Sequence, residues 1–270
     1  MRNVSQSSSE NASGWLRSPN SRPFDFESIA FCARRQRSSI LLLKGGNVRH
    51  RQLASKLADC SDVSPCNSEA CRFCMRRFRW ALLNQSLPQI GYGDWTAASI
   101  ITNGAQTPLG SLNEFDSAKY ILRWRKRIER SSILRDCRIV GGIDISLNRD
   151  GNSRVYWQPH LYILIGEQKS VELDRAVRDA FPAEPDAKRP YRLRTVKERL
   201  QAISYSYKSE FDLRCSYVNS DGESAVDDMP IPPSAQRELL LYLDGFSMGG
   251  RLLLRKFRRH GPRLNLLHLL

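Results

Sequence analysis

The most regular hydrophobic pattern in the chain runs from Ser117 to Arg130, where Tyr120, Ile121, Trp124 and Ile128 recur at helical spacing behind Asp116, a residue suited to an N-cap. The opposite face of that predicted helix carries Arg123, Arg125, Lys126, Arg127 and Arg130. Two strand patterns follow, Cys137 to Leu147 and Arg154 to Ile165, joined by Asn148-Arg149-Asp150-Gly151-Asn152. Asp-Gly and Asn suit positive φ, so this reads as a β-hairpin. Trp95 to Thr102 is β-rich and closes at Asn103-Gly104. Val171 to Phe181 reads as a helix, Pro182 to Pro190 as a loop, Tyr191 to Val196 as a strand and Lys197 to Phe211 as a helix. The order strand, helix, strand, strand, helix, strand, helix predicts an α+β fold: an antiparallel sheet with helices on one face, of ferredoxin-like type.

The flanks differ in character. Residues 1–22 are rich in Ser and Asn and lack apolar periodicity, which predicts a disordered tail. Residues 23–90 form a basic, cysteine-rich helical module, with a helix expected over His50 to Leu57 and another from Met75 to about Asn84. Residues 91–218 hold the α+β domain, the acidic Gly- and Pro-bearing stretch 219–233 reads as a linker, and 234–270 as a basic extension. That extension opens with a Leu-rich helix, Ser234 to Asp244.

Charge then narrows the class of partner. The chain has 42 Lys+Arg against 28 Asp+Glu, a formal charge of +14, and a pI near 9.8. Such a balance favours a polyanion, most simply nucleic acid, and sets non-specific affinity rather than chemistry. No run approaches the roughly 18 apolar residues of a membrane span. The polar start, Met1 to Glu10, lacks the apolar core of a signal peptide. A soluble, cytoplasmic protein is the expectation.

Four of the seven cysteines, Cys60, Cys66, Cys71 and Cys74, crowd into one short segment. Thiolates at close spacing are the ligands a structural Zn²⁺ takes as a tetrahedron. Cys71-x-x-Cys74 is a good half-site; Cys60-x5-Cys66 is wider than usual, and His50 is an alternative ligand. The plainer reading is four reduced, unligated thiols. Cys32, Cys137 and Cys215 stand apart and read as buried small hydrophobes.

In the second hairpin strand His160 and Tyr162 alternate onto one face, and Asp144 is one of few polar residues in the strand before it. Farther on, Tyr205 and Lys208 lie three apart on the predicted last helix, with Tyr207 on another face. A tyrosine beside a cation suits phosphate chemistry. The plainer readings are a hydrogen-bonded structural histidine, tyrosines packing a helix through their rings, and an Asp144 that caps a turn or pairs with an arginine.

Pro159-His160-Leu161-Tyr162-Ile-Leu-Ile, preceded by Ile-Asp144-Ile-Ser-Leu-Asn and followed by Ala-Ile-Ser-Tyr205-Ser-Tyr-Lys208, resembles the core of rolling-circle replication initiators of the HUH endonuclease superfamily. The resemblance covers about Trp95 to Phe211, and the cysteine segment is similar to one that plasmid initiators carry ahead of the nuclease domain. It implies a metal-dependent nickase and strand transferase acting on single-stranded DNA. His160 and Asp144 would bind Mg²⁺ or Mn²⁺, Tyr205 would be the nucleophile and Lys208 its basic companion. The sequence departs from the family where Tyr162 occupies the second metal-histidine position. A phenol is a poor ligand for these ions, and Gln158 is the nearest substitute oxygen. The competing expectations are a catalytically degenerate relative that regulates by binding DNA, and a zinc-containing nucleic-acid-binding protein with Tyr205 in its core. The basic helix Ser117–Arg130 reads either as a solvated face or as a backbone-tracking surface with Trp124 as a stacking platform.

Overall fold

The computed structural model describes residues 26–90, 93–102, 105–183, 190–218, 224–260 and 263–266. The expected N-terminal tail lies outside them.

Seven helices and ten strands are present among the described residues. Helices α1 (Ile29–Lys44), α2 (Val48–Ala58) and α3 (Arg72–Ile90) precede strands β1 (Thr96–Ile101) and β2 (Thr107–Pro108). Helix α4 (Ser117–Arg130) leads into the hairpin β3 (Ile139–Arg149) and β4 (Val155–Ile165). Then come α5 (Val171–Ala180), β5 (Tyr191–Thr195), α6 (Arg199–Tyr205), β6 (Leu213–Val218), β7 (Ser224–Met229), α7 (Pro233–Asp244), β8 (Leu252–Arg255), β9 (Phe257–His260) and β10 (Arg263–Leu266). Helix α4 starts where its cap predicts, with Asp116 Oδ1 accepting from the Lys119 N–H at 2.9 Å. In the hairpin turn Asp150 accepts from the Asn152 and Arg154 N–H groups, and the residue at positive φ is Ser153 rather than the expected Gly151 or Asn152.

The main sheet runs β5-β1-β4-β3-β6-β7, with β2 on β4 and β8 on β3. It is mixed, not antiparallel throughout, because β6 runs parallel to β3. Helices cover both faces, not one. Odd-numbered residues of β3 and β4 (Ile143, Ile145, Leu161, Ile163) bury with Tyr120, Ile121, Trp124 and Ile128 of α4 and with Leu173 and Val177 of α5. Even-numbered Val140 and Leu164 bury with Met75, Phe78 and Leu82 of α3 and Ile203 of α6. The fold is therefore α+β, but with a layer of helices on each side of a mixed sheet. Among the described residues no helix is long and apolar enough to cross a membrane.

Two elements escape the sequence pattern for identifiable reasons. The buried stripe of α1 is Cys32, Gln36, Ser39 and Leu43, half of it polar, so no apolar period shows. The expected linker contains β7, which pairs with β6 from Leu213↔Met229 to Val218↔Ser224 and extends the sheet. Its residues Val226, Asp227, Asp228 and Met229 are all exposed, so no apolar alternation marks the strand.

Candidate functional site

Strand β3 is shared along its outer edge by two partners: β8 pairs with Ile139–Gly142, and β6 with Leu147–Arg149. Between them the ladder has a gap. The Ile143 N–H reaches the Arg251 carbonyl and the Leu147 N–H the Asp212 carbonyl. The Ile145 N–H, left between, is taken by the Asp144 carboxylate itself through Oδ1 at 2.8 Å. A buried backbone donor needs such a partner, and meeting that need fixes the carboxylate at the gap.

The other oxygen, Oδ2, faces two side chains. His160 Nε2 is 3.1 Å away and Lys208 Nζ 3.0 Å. His160 sits directly across the hairpin from Asp144 on the same face. Its Nδ1 lies 3.2 Å from the Gln158 carbonyl, which can only accept, so Nδ1 is the donor. In the neutral ring Nε2 then points a lone pair at a carboxylate oxygen. Two acceptors face each other there unless a proton or a metal cation lies between them. Oδ2 is buried, and the Lys208 ammonium and the His160 ring are its close neighbours. Burial opposes the charge on Asp144, but Lys208 and then His160 outweigh it and hold the pKa below the usual carboxylate range. Burial likewise opposes the charge on Lys208, and Asp144 reverses that effect and raises its pKa.

Helix α6 ends at Tyr205, so Lys208 lies in the turn beyond it rather than on the helix. It still meets Tyr205, with Nζ 5.2 Å from the ring centre. Tyr205 is 45 % exposed and, with Asp144, His160 and Lys208, lines a cleft of about 800 Å³. Tyr162 lies two positions beyond His160 on the same strand. Its ring packs edge-on against Tyr205 at 4.7 Å, and burial, then Tyr205, push its pKa to about 12, so the phenol stays neutral. Gln158 meets the site through its carbonyl, on His160 Nδ1, while its amide nitrogen is turned toward the Thr102 and Pro159 carbonyls. Tyr207 is buried beneath Gly142.

Acids also line the cleft, and most are paired. Glu27 binds Arg79, Glu210 binds Arg35 at 2.6 Å and Arg72 at 2.5 Å, and Asp228 lies 3.5 Å from Arg214. Burial raises the pKa of Asp212.

The second cluster is sulfur. Cys60 follows α2, Cys66 lies in the loop, and Cys71 and Cys74 sit at the start of α3, where the helix dipole favours negative charge. Their Sγ atoms all fall within 4.8 Å of one another, with contacts of 3.5 Å for Cys60–Cys74 and Cys60–Cys71 and 3.7 Å for Cys66–Cys74. A tetrahedron of Zn–S bonds of about 2.3 Å has S···S edges of about 3.8 Å, so the four sulfurs stand close to the spacing of a metal cage. Donors surround them: Arg77 reaches Cys74 at 3.5 Å, Gln36 reaches Cys71 at 3.6 Å, and the Cys66 N–H reaches Cys60 at 3.4 Å. The Cys71 hydrogen bond is the main cause that lowers the pKa of Cys74, to about 4. His50 stands apart, its Nδ1 accepting from the Asn47 N–H in a capping box. Of the three remaining cysteines, Cys32 and Cys137 are buried as expected, while Cys215 is half-buried on β6.

The basic helix does not join either cluster. It covers the odd face of the sheet, away from Asp144 and His160, and Trp124 is 1 % exposed and stacked on Phe181 at 4.1 Å. Trp124 is core, not a stacking platform. Sequence reasoning missed cations on the site's own face: Arg192 and Arg194 of β5 align through Ser99 and Ala97 with Tyr162 and Leu164. Both are exposed. The alternation Tyr191-Arg192-Leu193-Arg194 carried the signal.

Comparison with known proteins finds no match to a family model, a curated protein or a solved structure.

Proposed function

We propose that the chain nicks single-stranded DNA by tyrosine transesterification, in the manner of the replication initiators its motifs resemble. The observation that carries this reading is the meeting of Asp144, His160, Tyr205 and Lys208, which span 64 positions of sequence, at one cleft. Asp144 Oδ2 and His160 Nε2 would hold a divalent cation, with water and phosphate oxygens completing its shell; one carboxylate and one imidazole suit Mn²⁺ better than Mg²⁺. Such an ion would polarise the scissile phosphate.

The residues do the rest. Tyr205 is half-exposed at the cleft, so its Oη is open to a phosphodiester. It attacks phosphorus, the P–O3′ bond breaks, the phenol loses its proton to solvent and the departing 3′-oxygen takes one up. The product is a 5′-phosphotyrosyl adduct and a free 3′-hydroxyl. Lys208 offsets charge on the phosphate, and Tyr162 holds the nucleophile's ring. The cysteine cluster holds a structural Zn²⁺ that ties α2 to α3.

The test incubates the chain and Tyr205→Phe with single-stranded oligonucleotide pools and Mn²⁺, then reads covalent adducts on a denaturing gel. Wild type should form an adduct and the variant none. The neutral Tyr162 in place of a second histidine favours a rival reading, a degenerate relative that only binds DNA. Mobility shift without adduct would select it.

A further inference from the structure

Glu69 lies between Cys66 and Cys71, inside the loop whose thiols converge, and its side chain is 0 % exposed. A carboxylate cut off from water needs donors and an opposite charge. It has both. Arg251 Nε is 2.5 Å from Oε2, the Gly249 N–H donates to Oε1 at 3.0 Å, and the Tyr207 hydroxyl donates to the same oxygen. A backbone bridge, Ser68↔Ser247, seats the loop against the same C-terminal segment.

Each partner leads to the cleft. Tyr207 immediately precedes Lys208, and its ring fits under Gly142, where a Cβ would stand 2.9 Å from Cδ2. Arg251 donates through Nη1 to the Ile143 carbonyl at 2.8 Å, accepts the Ile143 N–H at its own carbonyl, and packs over the Tyr207 ring at 4.7 Å. Ile143 precedes Asp144. One carboxylate therefore holds Tyr207 directly and Ile143 through Arg251, the chain neighbours of Lys208 and Asp144, and the cysteine loop holds that carboxylate. A buried ion pair contributes little net stability over an apolar filling of equal volume. What it adds here is a fixed geometry.

We propose that Glu69 is a positioning residue through which occupancy of the cysteine cluster sets Lys208 against Asp144. The inference rests on the zinc and nicking readings above. Its test does not need catalysis. Amide hydrogen exchange is followed in the zinc-loaded chain, after zinc removal by a chelator, and in zinc-loaded Glu69→Gln, with zinc content measured in each. Zinc removal should speed exchange in residues 203–212 at least tenfold, along with residues 60–74, while α5 keeps its protection as an internal control. Glu69→Gln should speed exchange in residues 203–212 with zinc still bound and residues 60–74 unchanged, and that variant keeps the test open if chelation unfolds the chain. Unchanged protection at 203–212 in the zinc-loaded variant, or a chelation effect confined to 60–74, overturns the proposal. A chain that takes up no zinc by metal analysis overturns this proposal together with the zinc reading, whereas one that forms no adduct fails the nicking reading alone and leaves the exchange result for Glu69→Gln standing.

Discussion

At the scale of single residues, position 162 tests the proposed reading. A histidine there would present a ring nitrogen to a metal; Tyr162 presents an aromatic edge to the ring of Tyr205, a contact of about 1 kcal/mol. Tyr162→Phe should accordingly keep adduct formation within about twofold and keep any rise in melting temperature on adding Mn²⁺, whereas Tyr162→Ala should lower adduct yield while leaving the Mn²⁺ effect. Loss of the Mn²⁺ effect in Tyr162→Phe would restore the phenol as a ligand. Glu27, on the wall of the same cleft, offers a pH test of stability. Burial opposes its charge, but Arg79 and Ser209 outweigh burial and leave its pKa lowered. The folded pKa therefore lies below the unfolded value of about 4.3, so its stabilisation is complete above that pH and is lost as pH falls through the folded value. Melts of wild type and Glu27→Gln should differ by about 2 kcal/mol at pH 7, hold that gap down to about pH 4.5, and converge below it.

Among the elements, the sheet and the turn after α6 are joined at a place where only glycine fits. A methyl at Gly142 would meet the Tyr207 ring and, at 2.8 Å, the Arg251 carbonyl. Gly142→Ala should therefore cost about 1–3 kcal/mol by overpacking, measured by denaturant unfolding. It should also impair adduct formation, since Lys208 follows Tyr207. An alanine variant with wild-type stability would show that Tyr207 does not pack against Gly142. The helix α1 teaches the converse lesson about legibility. Gln36 is buried because it bridges elements: its amide donates to the Leu57 carbonyl at the end of α2 and accepts from the Arg72 N–H at the start of α3. A polar side chain serving two helix ends cannot be told, in sequence, from one facing water.

The whole molecule separates its charge from its chemistry. The strongest cationic pattern in the sequence, on α4, lies across the sheet from the cleft, while the less conspicuous Arg192 and Arg194 share the cleft's face. If single-stranded DNA tracks past Tyr205, Arg192→Gln with Arg194→Gln should reduce the slope of log K against log salt by about 1.4, at about 0.7 per phosphate contact. Neutralising Arg123, Arg125 and Arg130 should leave that slope for a short oligonucleotide within error. The reverse result would return binding to α4. The cysteine module, expected as a separate unit, shares one buried cluster with the sheet, in which Leu53, Leu57 and Cys71 pack with Ile143 and Leu161.

Local rules were enough for much of this chain. Period, caps and turn residues determined α4 to its last residue, the β3–β4 hairpin, α5, β5 and α7, because those signals act between near neighbours. Residue types and spacing also brought forward Asp144, His160, Tyr205, Lys208 and the four cysteines as candidates. Tertiary structure alone decided which face of the sheet each helix covers, that β6 runs parallel to β3, and that the gap between β6 and β8 fixes Asp144. It alone buried Trp124, turned Tyr162 toward Tyr205 and set Glu69 against Arg251 across 182 positions. These outcomes depend on long-range pairing, where burial and the completion of hydrogen bonds select one arrangement among many that the same local pattern permits.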